Sequence, residues 1–125
     1  MNKREVGNDK ESMAADYLEN QGLKIVDRNF RCRIGEIDII AVEHNTKYAW
    51  DRDFTYVFVE VKYRTNTKKG EGYEAVDYRK RQKIIKTARY YCMKKGGLNG
   101  YNIRFDVISI LKDEITWYKN AFMYE

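Results

Sequence analysis

The feature that most constrains the fold is a helical segment placed between two strand-forming segments. Across residues 75–95 the apolar side chains recur at helical spacing and share one face, which carries Ile84, Ile85, Ala88, Tyr91 and Cys92. The segment before it, residues 56–64, and the segment after it, "YNIRFDVISI", both have the composition of strands. A helix in this position permits a crossover between parallel strands. We therefore expect a mixed sheet flanked by helices.

The other segments complete the order α-β-β-β-α-β-β in a single α/β domain that spans residues 1–125. Residues 8–21 have helical spacing, and Gly22 is placed to end that helix. The segments "LKIVDRNFRCR" and "GEIDIIAVE" are predicted to form a hairpin around a tight turn at Ile34 and Gly35. A long polar connection, residues 44–54, leads into the third strand, and the last two strands meet at Lys112 and Asp113.

Composition narrows the classes of function that the chain can have. The 24 Lys plus Arg and 19 Asp plus Glu give a net charge of +5, which favours a polyanionic partner, with nucleic acid as the leading candidate. His44 is the only histidine, so a mechanism that needs paired histidines is excluded, and no phosphate-binding P-loop is present. No segment is apolar enough to span a bilayer, so we expect a soluble cytoplasmic protein without membrane contact, in which Cys32 and Cys92 stay reduced.

The third strand, "YVFVEVKYR", carries two charged residues on one face. Because strand side chains alternate, its valines point to one side of the sheet, while Glu60 and Lys62 point to the other. Asp38 lies among apolar residues in the preceding strand, and antiparallel pairing would bring it towards Glu60 and Lys62. Two carboxylates beside one ammonium suit a hard divalent cation. Mg²⁺ fits best, since it takes one or two carboxylates and completes its shell with water and phosphate.

The same residues could instead have structural roles. An exposed ion pair between Glu60 and Lys62 is the first alternative, and such a pair contributes less than about 1 kcal/mol. For Asp38 the alternatives are to cap the preceding turn or to pair with Arg31 or Arg33 across the hairpin. Taken alone, the spacing of Glu60 and Lys62 favours the ion pair, and for Asp38 it favours neither kind of role.

Four sequence blocks together resemble one protein family. "GEIDIIA", "FVEVKYR", "EAVDYRKRQKI" and "RFDVI" occur in this order, and the resemblance to the bacterial YraN-like proteins runs from residue 7 to about residue 110. That family has no assigned role and is similar to the PD-(D/E)xK superfamily of nucleases. The resemblance implies a restriction-endonuclease-like fold and a catalytic site made of Asp38, Glu60 and Lys62. Two departures from the superfamily pattern are the isoleucine that precedes Asp38, where that pattern has proline but isoleucine is usual in the YraN-like family, and the connection at residues 44–54, which is longer than expected.

The resemblance also implies roles for two residues on the helices. In the similar archaeal Holliday junction resolvases a glutamate of the first helix joins the metal site, and the residue that aligns here is Glu11. A capping box with Asn8 as N-cap is an equally supported role for Glu11. Gln82 matches a glutamine of relatives that faces the site, and an exposed helical residue is the alternative. Asp106 is interpreted as structural, paired with an arginine.

Basic residues are concentrated near the predicted cleft. Lys68 and Lys69 follow the third strand, and the second helix carries a longer group of cations that includes Arg79, Lys80 and Lys83. Asp77 is the only acid between residues 75 and 95, so this charge is not balanced locally. We expect these five cations to contact phosphates together with Gln82. The alternative is a solvated helix face.

These patterns together favour an endonuclease that hydrolyses phosphodiester bonds, in DNA rather than RNA. We expect Mg²⁺ or Mn²⁺ to be held by Asp38, Glu60 and the carbonyl of Val61, with Glu11 as a further ligand, and Lys62 to orient or deprotonate the attacking water. Two alternatives are a non-catalytic nucleic-acid-binding module and a subunit that acts only with a partner protein. A homodimer is also open, since many structure-selective nucleases cut two strands as dimers.

Overall fold

A computed structural model describes residues 3–44, 54–65, 76–95 and 102–123. It confirms the predicted α-β-β-β-α-β-β order, in which the elements are α1 (Lys3–Asn20), β1 (Lys24–Arg31), β2 (Glu36–His44), β3 (Phe54–Arg64), α2 (Tyr78–Lys94), β4 (Asn102–Leu111) and β5 (Glu114–Phe122). Within these residues, neither helix has the length and apolar content that a membrane crossing needs.

The five strands form one mixed sheet in the order β1-β2-β3-β4-β5. Every neighbouring pair is antiparallel except β3 and β4, which run parallel. The parallel pair follows from α2, because a helix between two strands returns the chain to the starting edge of the sheet. The predicted mixed sheet with a crossover helix is therefore confirmed.

β3 is the central strand of the sheet, and a helix packs on each face of the sheet. On one face α1 packs Ala14 and Leu18 against Val57 and Val59, which are fully buried. On the other face α2 packs its apolar side chains against a set that includes Tyr56 and Phe58. The predicted alternation along β3 is correct, and it places Glu60 and Lys62 on the α2 side of the sheet.

The start of α1 differs from the sequence prediction. The helix begins at Lys3 rather than near Asn8, which places Asn8 inside the helix and rules out the capping box with Glu11. The polar residues at the beginning of the chain carry no apolar periodicity, so the spacing gave no signal for them. At the other end Gly22, with φ of 95°, closes the helix as predicted, because this backbone conformation favours glycine.

A buried charge network joins β2, β4 and β5. Asp106 is completely buried and accepts hydrogen bonds from Arg104 Nε at 2.9 Å, Arg104 Nη2 at 2.8 Å, Trp117 Nε1 at 2.9 Å and the Asn120 backbone N–H at 2.9 Å. Arg104 also donates to Glu43 Oε1 at 2.6 Å, which ties in β2. The predicted structural role of Asp106, paired with an arginine, is confirmed.

Candidate functional site

The candidate site lies where β2 separates from β3. The antiparallel ladder runs from His44 opposite Phe54 as far as Ile39 opposite Val59, and then it ends. In place of the next backbone contact, the backbone N–H of Val61 donates a hydrogen bond to Asp38 Oδ2 at 2.8 Å. The carboxylate therefore bridges the two strands and satisfies a backbone donor that the ladder leaves unpaired.

The end of the pairing between β2 and β3 coincides with an irregular stretch of β2. Ile37 and Ile40 are three residues apart, and both pack in the apolar core on the α2 side of the sheet. Strict alternation would place them on opposite faces, so the strand is irregular between them, and Asp38 occupies that irregular stretch. Arg31 Nε pairs with Glu36 Oε2 at 2.9 Å, and Asp38 bonds to Val61, so the alternative of an Asp38–Arg31 pair is not supported.

The carboxylates of Asp38 and Glu60 interact electrostatically at this point, where Glu60 is buried and Asp38 is partly buried. Glu60 is 6% exposed. Burial and, to a smaller extent, repulsion from the Glu60 carboxylate raise the pKa of Asp38 to about 7, although the hydrogen bond from the Val61 N–H acts in the opposite direction. A like-charged carboxylate pair at neutral pH destabilises the empty site and favours a bound cation.

Two lysine ammonium groups meet at one oxygen of Glu60. The Nζ atom of Lys80 lies 2.6 Å from Glu60 Oε1, and the Nζ atom of Lys62 lies 3.5 Å from the same oxygen. Burial lowers the pKa of Lys62, and its hydrogen bond with Lys80 lowers it further. For Lys80, burial also acts to lower the pKa, but the hydrogen bonds with Glu60 and Lys62 outweigh it and raise the pKa. Lys62 is therefore the lysine that gives up its proton more readily.

The position of Lys80 is what the sequence interpretation missed. It was predicted to contact phosphate, and the structure places its ammonium group on a carboxylate of the candidate site. Helical spacing offered a signal, since Lys80, Ile84 and Ala88 lie four residues apart, and the last two are buried against the sheet. Lys80 lies on the same inward face in the first turn of α2, where its ammonium group pairs with Glu60 of β3.

Glu11 is buried on α1, with 8% of its surface exposed. Burial raises the pKa of Glu11, while the Arg28 guanidinium, 3.6 Å away from Glu11 Oε1, acts to lower it. Among the described residues no group satisfies the hydrogen-bonding capacity of Glu11 Oε1. Glu11 also contributes to the raised pKa of Asp38, so it is electrostatically coupled to the carboxylate pair.

The donor set can be compared with the needs of a divalent cation. Within residues 3–44, 54–65, 76–95 and 102–123, no three side chains of His, Cys, Asp or Glu are grouped closely enough to hold a metal ion together. Asp38 and Glu60 are therefore the carboxylate pair to consider for a cation, and Glu11 has a weaker electrostatic influence on Asp38 than Glu60 has. This set fits Mg²⁺, which commonly takes one or two carboxylates and fills its remaining positions with water and substrate phosphate.

A cavity of about 380 Å³ opens beside the carboxylate pair, and its lining is formed by Ile34, Gly35, Glu36, Asp77, Arg79, Lys80, Lys83 and Ile84. Of the predicted phosphate contacts, Arg79 and Lys83 are exposed at this cavity. Gln82 is partly buried on α2, and its predicted contact with the site stays a prediction. Lys68 and Lys69 lie outside the described residues.

Comparison with known proteins places the chain in a family. The sequence model of the uncharacterised protein family UPF0102 matches residues 10–110. A UPF0102 protein of Lachnoclostridium phytofermentans is 47% identical, with 98% of this chain and 96% of the relative covered. UPF0102 proteins of Fusobacterium nucleatum and Persephonella marina are 45% and 43% identical and cover 96% and 93% of this chain, with 92% and 91% of their own lengths matched. The resemblance to the YraN-like proteins is confirmed, and the chain belongs to the uncharacterised protein family UPF0102.

Proposed function

We propose that the protein is a metal-dependent endonuclease that hydrolyses phosphodiester bonds in DNA. The observation that supports this most directly is the carboxylate pair of the buried Glu60 and the partly buried Asp38, with the Lys62 Nζ atom 3.5 Å from Glu60. Burial and mutual repulsion make such a pair unfavourable for folding, because they raise the pKa of Asp38 to about 7. Groups held at such an expense to stability are more often functional than structural.

The roles of the side chains follow from their charges. Mg²⁺ or Mn²⁺, held by Asp38, Glu60 and the carbonyl of Val61, would supply positive charge to the phosphoryl oxygens and acidify a bound water. Burial lowers the pKa of Lys62, which is the direction that favours its Nζ atom as the group that orients the attacking water or takes a proton from it. The Val61 N–H holds Asp38 in place, and a rigid strand keeps Glu60 and Lys62 in register.

Lys80 favours a second candidate function, a nucleic-acid-binding module without catalysis. Its ammonium group already neutralises Glu60 at 2.6 Å, which is the task that a metal ion would otherwise perform. A subunit that cuts only with a partner protein, or as a homodimer, is compatible with the same geometry. In the endonuclease, Lys80 must leave Glu60 when the cation binds, whereas in the binding module it stays there.

Digestion of a substrate panel tests the proposed activity. Linear, single-stranded and branched DNAs and matching RNAs are incubated with Mg²⁺ or Mn²⁺ and with wild type, Glu60→Gln or Lys62→Ala. We expect wild type to cut at least one DNA, and each variant to lose cleavage by about 100-fold or more, because each lacks a group of the catalytic site. Glu114→Gln is the matched control, since Glu114 is an exposed glutamate of β5. Equal cleavage by wild type and Glu60→Gln would end the nuclease proposal at this site.

Salt dependence tests the phosphate contacts separately from catalysis. In EDTA, the logarithm of the affinity for duplex DNA should fall with the logarithm of salt concentration, by about 0.9 for each phosphate that is neutralised. Arg79→Ala should make this slope shallower by about 0.9, because it removes one contact. Fluorescence anisotropy at a series of salt concentrations measures both slopes. An affinity that does not change with salt contradicts the expected phosphate contacts.

A further inference from the structure

The cavity beside the carboxylate pair has no role in the chemistry described above. We propose that it binds one unpaired nucleotide of the substrate strand, next to the phosphodiester bond that Asp38 and Glu60 act on. This inference rests on the proposed function, and it names the substrate class: a nucleic acid with an unpaired nucleotide at the cut.

The size of the cavity limits which part of a nucleic acid can enter it. Its volume of about 380 Å³ lies between the β1–β2 turn and the start of α2. Protein pockets of roughly 300–1,000 Å³ hold single small molecules. A double helix does not enter such a space, since its major groove alone is about 12 Å wide. A nucleotide must therefore leave the base stack before it can occupy the cavity.

The charge of the lining favours a phosphate. Arg79, Lys80 and Lys83 line the cavity, and the side chains of Arg79 and Lys83 are exposed. In the part of the chain that the structure describes, neither Arg79 nor Lys83 has an ion-pair partner. Two guanidinium or ammonium groups that face the same space can both donate to one phosphate.

The two carboxylates of the lining are already engaged. Glu36 Oε2 pairs with Arg31 Nε at 2.9 Å, and Asp77 Oδ1 accepts a hydrogen bond from the backbone N–H of Lys80 at 2.9 Å. Asp77 thereby caps α2 and occupies the helix end. A phosphate in the cavity would therefore bind to the cationic side chains and not to the end of the helix.

Two further features suit a nucleotide better than a free phosphate. Ile34 is 40% exposed, and with Ile84 it provides an apolar surface for a sugar or base. Lys80 lines the cavity and also lies 2.6 Å from Glu60, so the cavity and the carboxylate pair share one side chain. A nucleotide bound in the cavity places its neighbouring phosphodiester bond at the catalytic carboxylates.

Thymidine 5′-monophosphate is the probe, titrated into the metal-free protein in EDTA and followed by amide NMR signals. We expect shifts at Gly35 and Ile84, which line the cavity. Arg79→Ala and Lys83→Ala should each weaken binding about tenfold, as expected for the loss of a charge-assisted hydrogen bond. Lys86→Ala is the matched control, because Lys86 is exposed on the same helix but does not line the cavity. Ile34→Ser should weaken binding of the nucleotide but not of inorganic phosphate.

Three results would overturn the pocket: no shift at the cavity, equal weakening by Lys86→Ala, or inorganic phosphate binding as tightly as the nucleotide. The titration contains no metal and no cleavage, so it is independent of the digestion assay. Specific nucleotide binding without cleavage of any substrate would support the proposed nucleotide pocket and contradict the proposed hydrolysis. Cleavage without nucleotide binding overturns the pocket and leaves the proposed function in place.

Discussion

Asp38→Asn should stabilise the metal-free protein at pH 8 by up to ~4 kcal/mol. The pKa of Asp38 rises from 3.8 to about 7 on folding, so between these values the folded state holds a proton that the unfolded state has lost. The resulting stability is fully present below the unfolded pKa and is lost as the pH rises through the folded pKa. Asparagine does not ionise, and its side-chain oxygen can still accept the hydrogen bond from the Val61 N–H.

Urea unfolding in EDTA across this pH range measures the effect. Wild type should lose stability relative to Asp38→Asn between about pH 4 and pH 7, and the difference should be constant above that range. Asp113→Asn is the control, because the Asp113 side chain is 91% exposed, so its stability should differ from wild type by less than about 0.5 kcal/mol. If Asp38→Asn is less stable than wild type at every pH, the carboxylate has a structural role.

Divalent cations should reverse the order of stability. In the proposed function Mg²⁺ or Mn²⁺ binds only the folded state of wild type, so the melting temperature should rise as the free metal concentration increases. Asp38→Asn lacks one of the two carboxylates and should show little or no rise. If Lys80 instead remains on Glu60, as in the non-catalytic module, metal should not change the melting temperature of wild type. Differential scanning fluorimetry with both proteins distinguishes these two functions.

The sequence was enough to predict the strands and the residues that face each other. Alternation along β3 placed Glu60 and Lys62 on one face, because a regular strand has a period of two, and antiparallel pairing of β2 with β3 indicated that Asp38 lies near them. It did not predict the hydrogen bond from Val61 to Asp38, which depends on where the ladder between β2 and β3 ends. Strand period carries no information about where pairing ends, and β2 itself departs from that period between Ile37 and Ile40.

The contact between Lys80 and Glu60 was beyond the sequence for a different reason. It depends on how α2 is rotated and how far along the sheet it packs, and these follow from side chains on two separate elements. The charge run on α2 looked like a uniform surface for phosphate contacts. Packing divides it, since it directs Lys80 inwards to Glu60 and leaves Arg79 and Lys83 at the cavity. A sequence pattern gives the face of a helix but not its neighbour.

Asp106→Asn should lower stability by about 3–5 kcal/mol, as expected when one partner of a buried ion pair loses its charge. Asp106 is completely buried and accepts four hydrogen bonds, two of them from Arg104. Asparagine has the same shape but replaces one acceptor oxygen with a donor, so Arg104 and either Trp117 or Asn120 lose a partner. Urea unfolding at neutral pH measures the loss.

Glu43→Gln is the matched control, because it changes the other carboxylate that pairs with Arg104 at a partly exposed position, where the side chain is 29% exposed. We expect it to lose only about 1 kcal/mol, since solvent compensates for part of the pair. A loss below about 1 kcal/mol for Asp106→Asn as well would contradict the importance of the network.

Asp106 pairs in register with Val59, on the sheet face opposite Glu60. At temperatures where Asp106→Asn remains folded, its cleavage and its response to Mg²⁺ should therefore match wild type, which would separate this buried charge from the carboxylates of the proposed catalytic site.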